Sequence, residues 1–268
     1  MLAEFSLADK VALVTGGVGL LGREHCRALY EGGARVVVAD IDESAARDFA
    51  GSLGERAMGV ALNVADLASA KSAQTRVEQA FGTVNVLVNN AAINDRFESP
   101  ELALEQSSFE KYPLELWTKM LEVNVTGTFV CSQVFGIPMA EAGKGSIINV
   151  ASTYGVVAPD QGLYLRKNGE RMFYKSAGYP ATKGAVISFT RFLAAYWGEK
   201  GVRVNTLSPG GVENSQDKEF VENYSVRTPL KRMASPRDYR GALVFLASDA
   251  SNYMTGANLI VDGGWTAW

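Results

Sequence analysis

Residues 11–22 read Val-Ala-Leu-Val-Thr-Gly-Gly-Val-Gly-Leu-Leu-Gly, an apolar run that ends in a glycine-rich turn. The run predicts a buried strand, and residues 20–30 predict a helix directly after it. Glycines at such a junction let the backbone approach a pyrophosphate, which the free N–H groups of a helix start can bind. A tight turn without a ligand is the alternative for this stretch alone. The predicted cofactor contacts here are Gly16, Gly19, Leu21 and Gly22.

The alternation of strand and helix continues along the whole chain. Further strands are predicted at residues 35–39, 58–62, 84–88, 146–150, 202–207 and 259–261. Further helices are predicted at residues 43–53, 67–81, 114–135, 178–197 and 237–247. Such alternation implies a parallel sheet with helices on both faces. The sequence therefore predicts a single α/β domain of the Rossmann type, doubly wound around a seven-stranded parallel sheet.

The composition excludes several classes of protein. The chain has 268 residues, 47% of them hydrophobic, and its net charge of −3 indicates no nucleic-acid partner. Cys26 and Cys131 lie in apolar helical runs, which favours a reducing environment, and the single histidine, His25, cannot build a histidine-rich metal site. No apolar stretch reaches the roughly 20 residues of a membrane span, and the N-terminus has no signal-peptide core. We therefore expect a cytoplasmic protein with neither metal nor membrane partner.

Residues 179–183, Tyr-Pro-Ala-Thr-Lys, place a phenol and an ammonium one helical turn apart on one face. The ammonium of Lys183 favours the phenolate of Tyr179 and lowers its pKa. The pair can therefore move a proton to or from an alcohol or carbonyl oxygen. Taken alone, the pair is also compatible with an ordinary surface of a helix.

An acidic residue ends the second predicted strand, eighteen positions after Gly22. The carboxylate of Asp40 can accept hydrogen bonds from both hydroxyls of an adenosine ribose, and it would repel a 2′-phosphate. The sequence therefore predicts NAD rather than NADP as the cofactor. The alternative for Asp40 is a plain helix cap.

Several further motifs follow in a fixed order: Asn-Asn-Ala-Ala at 89–92, Asn124 within 122–127, and Ile-Ile-Asn-Val-Ala-Ser at 147–152. Near the C-terminus stand Ser-Pro-Gly-Gly at 208–211, Thr-Gly-Ala at 255–257 and Val-Asp-Gly-Gly at 261–264. Together with the glycine-rich turn and the Tyr179/Lys183 pair, they resemble the short-chain dehydrogenase/reductase family over nearly the whole chain.

The resemblance implies a role for each matching residue. Tyr179 would be the general acid/base, and Lys183 would hold the nicotinamide ribose and lower the pKa of Tyr179. Ser152 would hydrogen-bond the substrate oxygen, and Asn124 would help to place a water that links Lys183 to solvent. Further cofactor contacts would be Asn63, Val64, Asn90, Pro209 and Val212. The resemblance also implies a homotetramer built on the helices at 114–135 and 178–197 and on the C-terminal strand, with Trp265 or Trp268 buried.

The chain departs from the family pattern at identifiable places. Leu20 stands where the family has glycine, so we expect Gly19 to supply the flexibility of the turn; Asn63 and Ala92 replace an aspartate and a glycine. The largest departure lies between Ser152 and Tyr179, which are twenty-seven positions apart where the family has about a dozen. We therefore predict an insertion at 155–176 that borders the substrate, and a mobile lid at 213–235.

Basic and aromatic side chains in the insertion suit an anionic or polyhydroxylated ligand. The candidate substrate contacts are Arg96, Arg166, Lys167, Arg171 and Lys175. This composition resembles members that act on sugars or sugar acids, such as gluconate 5-dehydrogenase-like and glycan-biosynthesis enzymes. The family resemblance, with NAD predicted from Asp40, implies NAD-dependent interconversion of a secondary alcohol and a ketone. The alternatives are a dehydrogenase of a hydrophobic alcohol or acyl-type 3-keto substrate, and a non-catalytic NAD-binding regulator.

Overall fold

The structure, a computed structural model, describes residues 2–95 and 100–268, and of residues 100–103 it describes the backbone alone. Its strands are β1 (Val11–Thr15), β2 (Arg35–Asp40), β3 (Ala57–Ala61), β4 (Val86–Asn89), β5 (Gly145–Val150), β6 (Val202–Pro209) and β7 (Asn258–Val261). They form one seven-stranded sheet in the order β3-β2-β1-β4-β5-β6-β7. Every neighbouring pair is parallel. The predicted fold class is therefore confirmed.

The α-helices cover both faces of the sheet. They are α1 (Leu20–Glu31), α2 (Glu43–Leu53), α3 (Leu67–Phe81), α4 (Pro100–Ser107), α5 (Leu114–Leu121), α6 (Gly127–Glu141), α7 (Gly178–Trp197), α8 (Lys218–Arg227) and α9 (Arg240–Ala247). The sequence analysis does not predict α4 or α8. In α8 the apolar residues Phe220, Val221, Tyr224 and Val226 stand among six polar or charged ones, so the stretch has the composition of a loop.

Alternate residues of each strand divide the core into two layers. In β1, Val11 and Leu13 pack toward the layer that contains α3, α6 and α7. Ala12 and Val14 pack toward the layer that contains α1, α2 and α9. Because both faces are covered, the strand is buried at every position, and this explains its continuous apolar sequence.

The helices α5 and α6 form one continuous run, joined by a π-helical segment at Glu122–Thr126. The run Leu114–Glu141 is long and apolar enough, by length and composition, to cross a membrane. The sequence analysis did not identify it because Glu115, Lys119 and Glu122 interrupt its apolar stretch. In its most apolar window, 56% of the residues are buried inside the protein, as expected of a core helix. The π-helical segment carries Asn124 and turns its side chain into the interior.

Candidate active site

A cleft of about 810 Å³ opens at the carboxyl ends of the parallel strands. Its walls come from residues that follow β1, β2, β4, β5 and β6. The chain leaves β1 on one side of the sheet toward β2 and returns later to place β4 on the other side. Such a reversal of strand order separates the connecting loops and creates a crevice, which is where ligands bind in open α/β sheets.

Tyr179 and Lys183 lie in the first two turns of α7, and both line this cleft. The Lys183 ammonium is 5.7 Å from the centroid of the Tyr179 ring and donates a 2.8 Å hydrogen bond to the carbonyl of Val150. That carbonyl belongs to the last residue of β5, so the sheet itself positions the lysine. Burial lowers the pKa of Lys183 to about 8.

Ser152 comes two residues after β5 and lines the cleft beside Tyr179. Its hydroxyl accepts a 3.1 Å hydrogen bond from the backbone N–H of Tyr154. Burial raises the pKa of the Tyr179 phenol, and a hydrogen bond with Ser152 acts in the opposite direction. The two hydroxyl groups are therefore close enough to act on one substrate oxygen.

Asn124 lies behind the cleft rather than in its lining. Its amide exchanges two hydrogen bonds with the backbone of Ile93, at 2.8 Å and 3.0 Å, and donates a third to the Thr182 hydroxyl at 3.1 Å. It thereby connects the loop after β4 to the helix that carries Tyr179 and Lys183. The described contacts give Asn124 a positioning role, and its expected relation to a water stays a prediction.

The glycine-rich turn fits a closely approaching ligand. Gly16 adopts a positive φ of +60°, and a Cβ there would lie 2.9 Å from the Cα of Ala91. At Gly22 a Cβ would lie 2.1 Å from the carbonyl oxygen of Gly16, so only glycine allows α1 to begin this close to the turn. Gly19 has an ordinary φ of −69°, so the expectation that it replaces the flexibility missing at Leu20 is wrong.

Two side chains hold this turn against the neighbouring strands. The Asn90 amide donates to the carbonyls of Thr15 and Gly16, at 2.9 Å and 3.1 Å. The Asp40 carboxylate accepts a 3.1 Å hydrogen bond from the N–H of Val18. Asp40 lies at the end of β2 and lines the cleft, and its other carboxylate oxygen accepts a long 3.5 Å hydrogen bond from the N–H of Asp42.

The structure brings together nearly all the sequence-predicted cofactor residues. Those that line the cleft are Gly16, Gly19, Leu21, Asp40, Asn63, Val64, Asn90, Tyr179, Lys183, Pro209 and Val212. Gly22 lies outside the lining because it is buried in the first turn of α1, where it allows the close approach described above.

The insertion at 155–176 folds as a short 3₁₀ turn, Gln161–Tyr164, and a small antiparallel bridge between Leu165 and Arg171. One side of it packs on α8. The Tyr164 and Phe220 rings stack at 5.4 Å, the Asn223 amide donates to the Leu165 carbonyl at 3.1 Å, and Asp160 pairs with Arg227. The insertion and α8 therefore form one wall of the cleft.

The other side of the insertion is tied to the loop after β4 and to α4. The hydroxyl groups of Ser176 and Tyr112 both hydrogen-bond the Asp95 carboxylate, and the Tyr174 N–H donates to the Ser107 hydroxyl at 2.8 Å. This anchoring places Lys175 in the cleft, with its ammonium 2.6 Å from the Asn94 side-chain oxygen and 4.5 Å from the centroid of the Tyr179 ring.

The other predicted substrate cations are not brought into the cleft. Lys167 forms a 2.8 Å ion pair with Glu222 on the outside of α8. Arg171 donates to the carbonyl of Gln161 and lies over the Tyr174 ring, and Arg166 is exposed on the bridge. These three side chains lie outside the lining of the cleft, so the described geometry does not support their predicted contact with a substrate, which stays a prediction. Arg96 lies outside the described residues.

The cleft also has an aromatic wall, of which the sequence analysis identified only the aromatic side chains of the insertion. It consists of Tyr154, Tyr164, Phe220 and Tyr224, which all line the cleft. Trp265 supports it from behind, stacking on Tyr224 with ring centroids 4.3 Å apart. The i, i+4 spacing of Phe220 and Tyr224 was the available signal, because it marks one face of a helix. Trp265 is thus buried within its own chain, whereas Trp268 is 78% exposed.

The chain matches known proteins over nearly its whole length. A family model described as "Enoyl-(Acyl carrier protein) reductase" matches residues 19–266. A 3-alpha-(or 20-beta)-hydroxysteroid dehydrogenase of Mycobacterium tuberculosis is 37% identical over 97% of this chain and 91% of its own. A D-threitol dehydrogenase of Mycolicibacterium smegmatis is 36% identical over 98% of this chain and 95% of its own.

Solved structures give the same result. The crystal structure of a gluconate 5-dehydrogenase from Burkholderia cenocepacia, in complex with NADP and tartrate, superposes with a TM-score of 0.86. It shares 31% sequence identity and covers 99% of this chain and 98% of its own. The resemblance inferred from the motifs is therefore confirmed.

Proposed function

The chain belongs to the short-chain dehydrogenase/reductase family of oxidoreductases, which act on alcohol and ketone groups, and we propose that it does so on a polar sugar, sugar acid or sugar derivative. The observation that carries the proposal is the convergence of Ser152, Tyr179 and Lys183 in one cleft with a charged insertion beside them. The similarity to a D-threitol dehydrogenase and to a gluconate 5-dehydrogenase supports it.

Side chains of the protein would transfer the proton to and from the substrate oxygen. In the direction of oxidation, the Tyr179 phenolate takes the hydroxyl proton of the alcohol, and in reduction the phenol returns it to the carbonyl oxygen. The Ser152 hydroxyl donates a hydrogen bond to the same oxygen and keeps it in place. The ammonium of Lys183 lies 5.7 Å from the Tyr179 ring. Burial raises the pKa of the phenol and the hydrogen bond with Ser152 opposes this, so the predicted lowering of that pKa by Lys183 stays a prediction.

We propose NAD as the cofactor, and when bound it supplies the acceptor or donor of a hydride. The turn at Gly16 and Gly22 leaves room for a pyrophosphate at the start of α1. Lys183 would hold the nicotinamide ribose, and the backbone after Pro209, at Val212, would meet the carboxamide. Asn63 and Val64 would contact the adenine, and Asn90 would line the groove between them.

The preference for NAD over NADP rests on the charge at the end of β2. The Asp40 carboxylate faces the space for the adenosine ribose and would repel a 2′-phosphate. Beside it stands the apolar side chain of Ile41, and the cations among the described lining residues, Lys119, Lys175 and Lys183, lie elsewhere in the cleft. The gluconate 5-dehydrogenase with a similar fold holds NADP, so the choice has to be measured.

The test is the absorbance of NADH when the enzyme is given NAD and a panel of polyols, aldonic acids and ring alcohols. Turnover of polar substrates that disappears in Tyr179→Phe would support the proposal. Tight NADH binding without turnover of any alcohol or ketone would instead indicate the non-catalytic regulator.

A second candidate is a dehydrogenase of a hydrophobic alcohol or an acyl-type 3-keto compound. The aromatic wall of Tyr164, Phe220 and Tyr224 favours it, as does the 37% identity to a hydroxysteroid dehydrogenase. The half-buried Lys175, whose ammonium lines the cleft, opposes it, because an apolar ligand would cover that charge without pairing it. A higher kcat/KM for a steroid than for any polyol would establish this alternative.

We propose that the whole chain is one NAD-binding domain, with the insertion at 155–176 and a lid at 213–235, and that it is a cytoplasmic homotetramer. Assembly is supported by an apolar surface on α6 and α7, where Phe129, Phe192 and Tyr196 are 47%, 60% and 62% exposed. Such a surface is typical of a subunit contact. Light scattering that gives a stable monomer would contradict the assembly.

A further inference from the structure

Lys175 brings a second ammonium to the catalytic tyrosine. Its Nζ is 4.5 Å from the centroid of the Tyr179 ring, closer than the 5.7 Å of Lys183. A network of hydrogen bonds fixes its backbone, because the Gln161 side chain donates to the Lys175 carbonyl and accepts from its N–H, both at 2.9 Å. The position of this side chain therefore follows from the anchoring of the whole insertion.

The described surroundings give Lys175 a neutral partner. Its ammonium donates to the amide oxygen of Asn94 at 2.6 Å, and among residues 2–95 and 104–268 no carboxylate lies within 4.0 Å of it. Asp95 follows Asn94 directly, but its carboxylate is occupied by the hydroxyl groups of Tyr112 and Ser176. The charge of Lys175 is thus not neutralised within the described part of the cleft.

Titratable groups approach Lys175 from each neighbouring element. They are Asp95 from the loop after β4, Tyr164 from the insertion, Tyr179 and Lys183 from α7, and Asp217 at the start of α8. Burial lowers the pKa of Lys175 to about 8, and the Asp95 carboxylate acts in the opposite direction. Among the described residues, burial therefore has a larger effect on the pKa of Lys175 than the Asp95 carboxylate.

We propose that the Lys175 ammonium binds a carboxylate of the substrate and thereby selects hydroxy acids and oxo acids over neutral alcohols. The inference rests on the proposed function and narrows its substrate class. A carboxylate oxygen would lie about 2.8 Å from the ammonium, in a charge-assisted hydrogen bond. Because that ammonium is 4.5 Å from the Tyr179 ring centroid, the carboxylate and the reacting carbon are separated by only a few bonds.

The proposal has a consequence for pH. A bound carboxylate stabilises the protonated amine and raises the pKa of Lys175, so the carboxylate binds tightly while the lysine is charged. As the pH rises through the pKa of the free site, about 8, the affinity for the carboxylate falls. A neutral ligand of the same shape does not have this dependence.

The experiment measures dissociation constants for the NADH-bound enzyme by ligand-observed NMR. The probes are matched pairs of a carboxylate and a neutral alcohol: gluconate and glucitol, threonate and threitol, cyclohexanecarboxylate and cyclohexylmethanol. At about pH 7 at least one carboxylate should bind about tenfold more tightly than its partner. This ratio should fall about tenfold by about pH 9.

Two substitutions of Lys175 distinguish the effect of its charge on the affinity ratio from the effect of its deprotonation. Lys175→Met should reduce the ratio of affinities to about one at both pH values. Lys175→Arg keeps a charge that does not titrate in this range, so the preference for the carboxylate should persist without its pH dependence. Lys167→Met, which removes a cation of the same insertion on its outer side, should leave the ratio unchanged. Unchanged NADH affinity in each variant shows that the fold is intact.

The proposal is overturned if no carboxylate of the three pairs binds the wild type more tightly than its neutral partner. It is also overturned if Lys175→Met keeps the preference, or if Lys175→Arg keeps its pH dependence. Because binding is measured without turnover, a carboxylate preference in a protein that oxidises no alcohol would refute the proposed function and leave the anion site standing.

Discussion

The two sides of the cleft are built in different ways. On the cofactor side, Asp40, Asn90 and Lys183 are positioned by the ends of β1, β2, β4 and β5, whose register is set by the parallel sheet. On the substrate side, the insertion and α8 are positioned by side chains that contact each other, such as Tyr164 on Phe220. The first side cannot move without disturbing the core, whereas the second depends on a few local contacts. Under the proposed function, we therefore expect substitutions on the substrate side to alter the choice of substrate and to leave the proton transfer in place.

The largest expected effect tests whether proton transfer depends on a residue of the cofactor side. Tyr179→Phe removes the group that transfers the proton and should lower kcat about 10²–10⁴-fold, because this is the typical contribution of a positioned acid or base. The affinity for NADH, measured by fluorescence titration, should stay the same. Tyr253→Phe, a change at a fully exposed ring, is the control. More than about half of the wild-type rate in Tyr179→Phe would refute the assignment.

The next effect concerns the stability of the sheet side. His25 is fully buried in α1, and neither ring nitrogen has a hydrogen-bond partner among the described residues. Burial lowers its pKa to about 4. The folded state therefore binds this proton less readily than the unfolded chain. The contribution of neutral His25 to the free energy of unfolding is complete above about pH 6.5. It is lost as the pH falls toward about 4, by about 1.4 kcal/mol per pH unit.

The matched variant is His25→Leu, which has no proton to bind. Urea unfolding of both proteins at about pH 7.5 and about pH 5 should give a larger loss of unfolding free energy in the wild type, by about 2 kcal/mol. The carboxylates titrate equally in both proteins and cancel in the difference. Identical pH dependence in the two proteins would show that His25 is solvated or paired.

The cofactor side can also be tested through its specificity. The wild type should prefer NAD over NADP by at least about tenfold in kcat/KM, since opposed like charges cost several kcal/mol. Asp40→Ala should relax the preference, and Asp40→Arg should reverse it. The control is Asp42→Ala, which removes the cap of α2 without touching the ribose. Equal kcat/KM of the wild type with both cofactors would contradict the role of Asp40.

The smallest effect tests the substrate side alone. Tyr164→Leu removes the ring that stacks on Phe220 and lines the cleft, so KM for the alcohol should rise roughly two- to tenfold, as expected for an aromatic pair. KM for NAD should not change, because the cofactor groove has its own supports. The control is Lys167→Met, whose exposed ion pair should matter little. A parallel rise in KM for NAD would mean that the substrate side and the cofactor side of the cleft depend on the same contacts.

The comparison also explains which features could be predicted. The sheet, the order of its helices and the residues at its strand ends follow from local patterns, since each strand and turn carries its own signal. The composition of the insertion predicted that cations and aromatic side chains would border the cleft, and Lys175 and Tyr164 line it. It did not show which cation, because Lys167 and Lys175 have the same chemistry and differ only in direction. The helix α8 was not predicted because its apolar face is short, and Phe220 and Tyr224 stand among mostly polar residues.

The sequence by itself determined the Rossmann fold, the family and the Tyr179/Lys183 pair, because these depend on periodicity and on spacing within one element. Only the tertiary structure decided that Gly16 and Gly22, rather than Gly19, need to be glycine, since the atoms that exclude a side chain come from other parts of the turn and from the loop after β4. It alone decided that Trp265 supports the cleft while Trp268 remains exposed. It also placed Lys175 beside Tyr179, through hydrogen bonds to Asn94 and Gln161 that lie up to 81 positions away in the chain. Contacts between residues so distant in sequence leave no local pattern, so their physical origin lies in the packing of the folded chain.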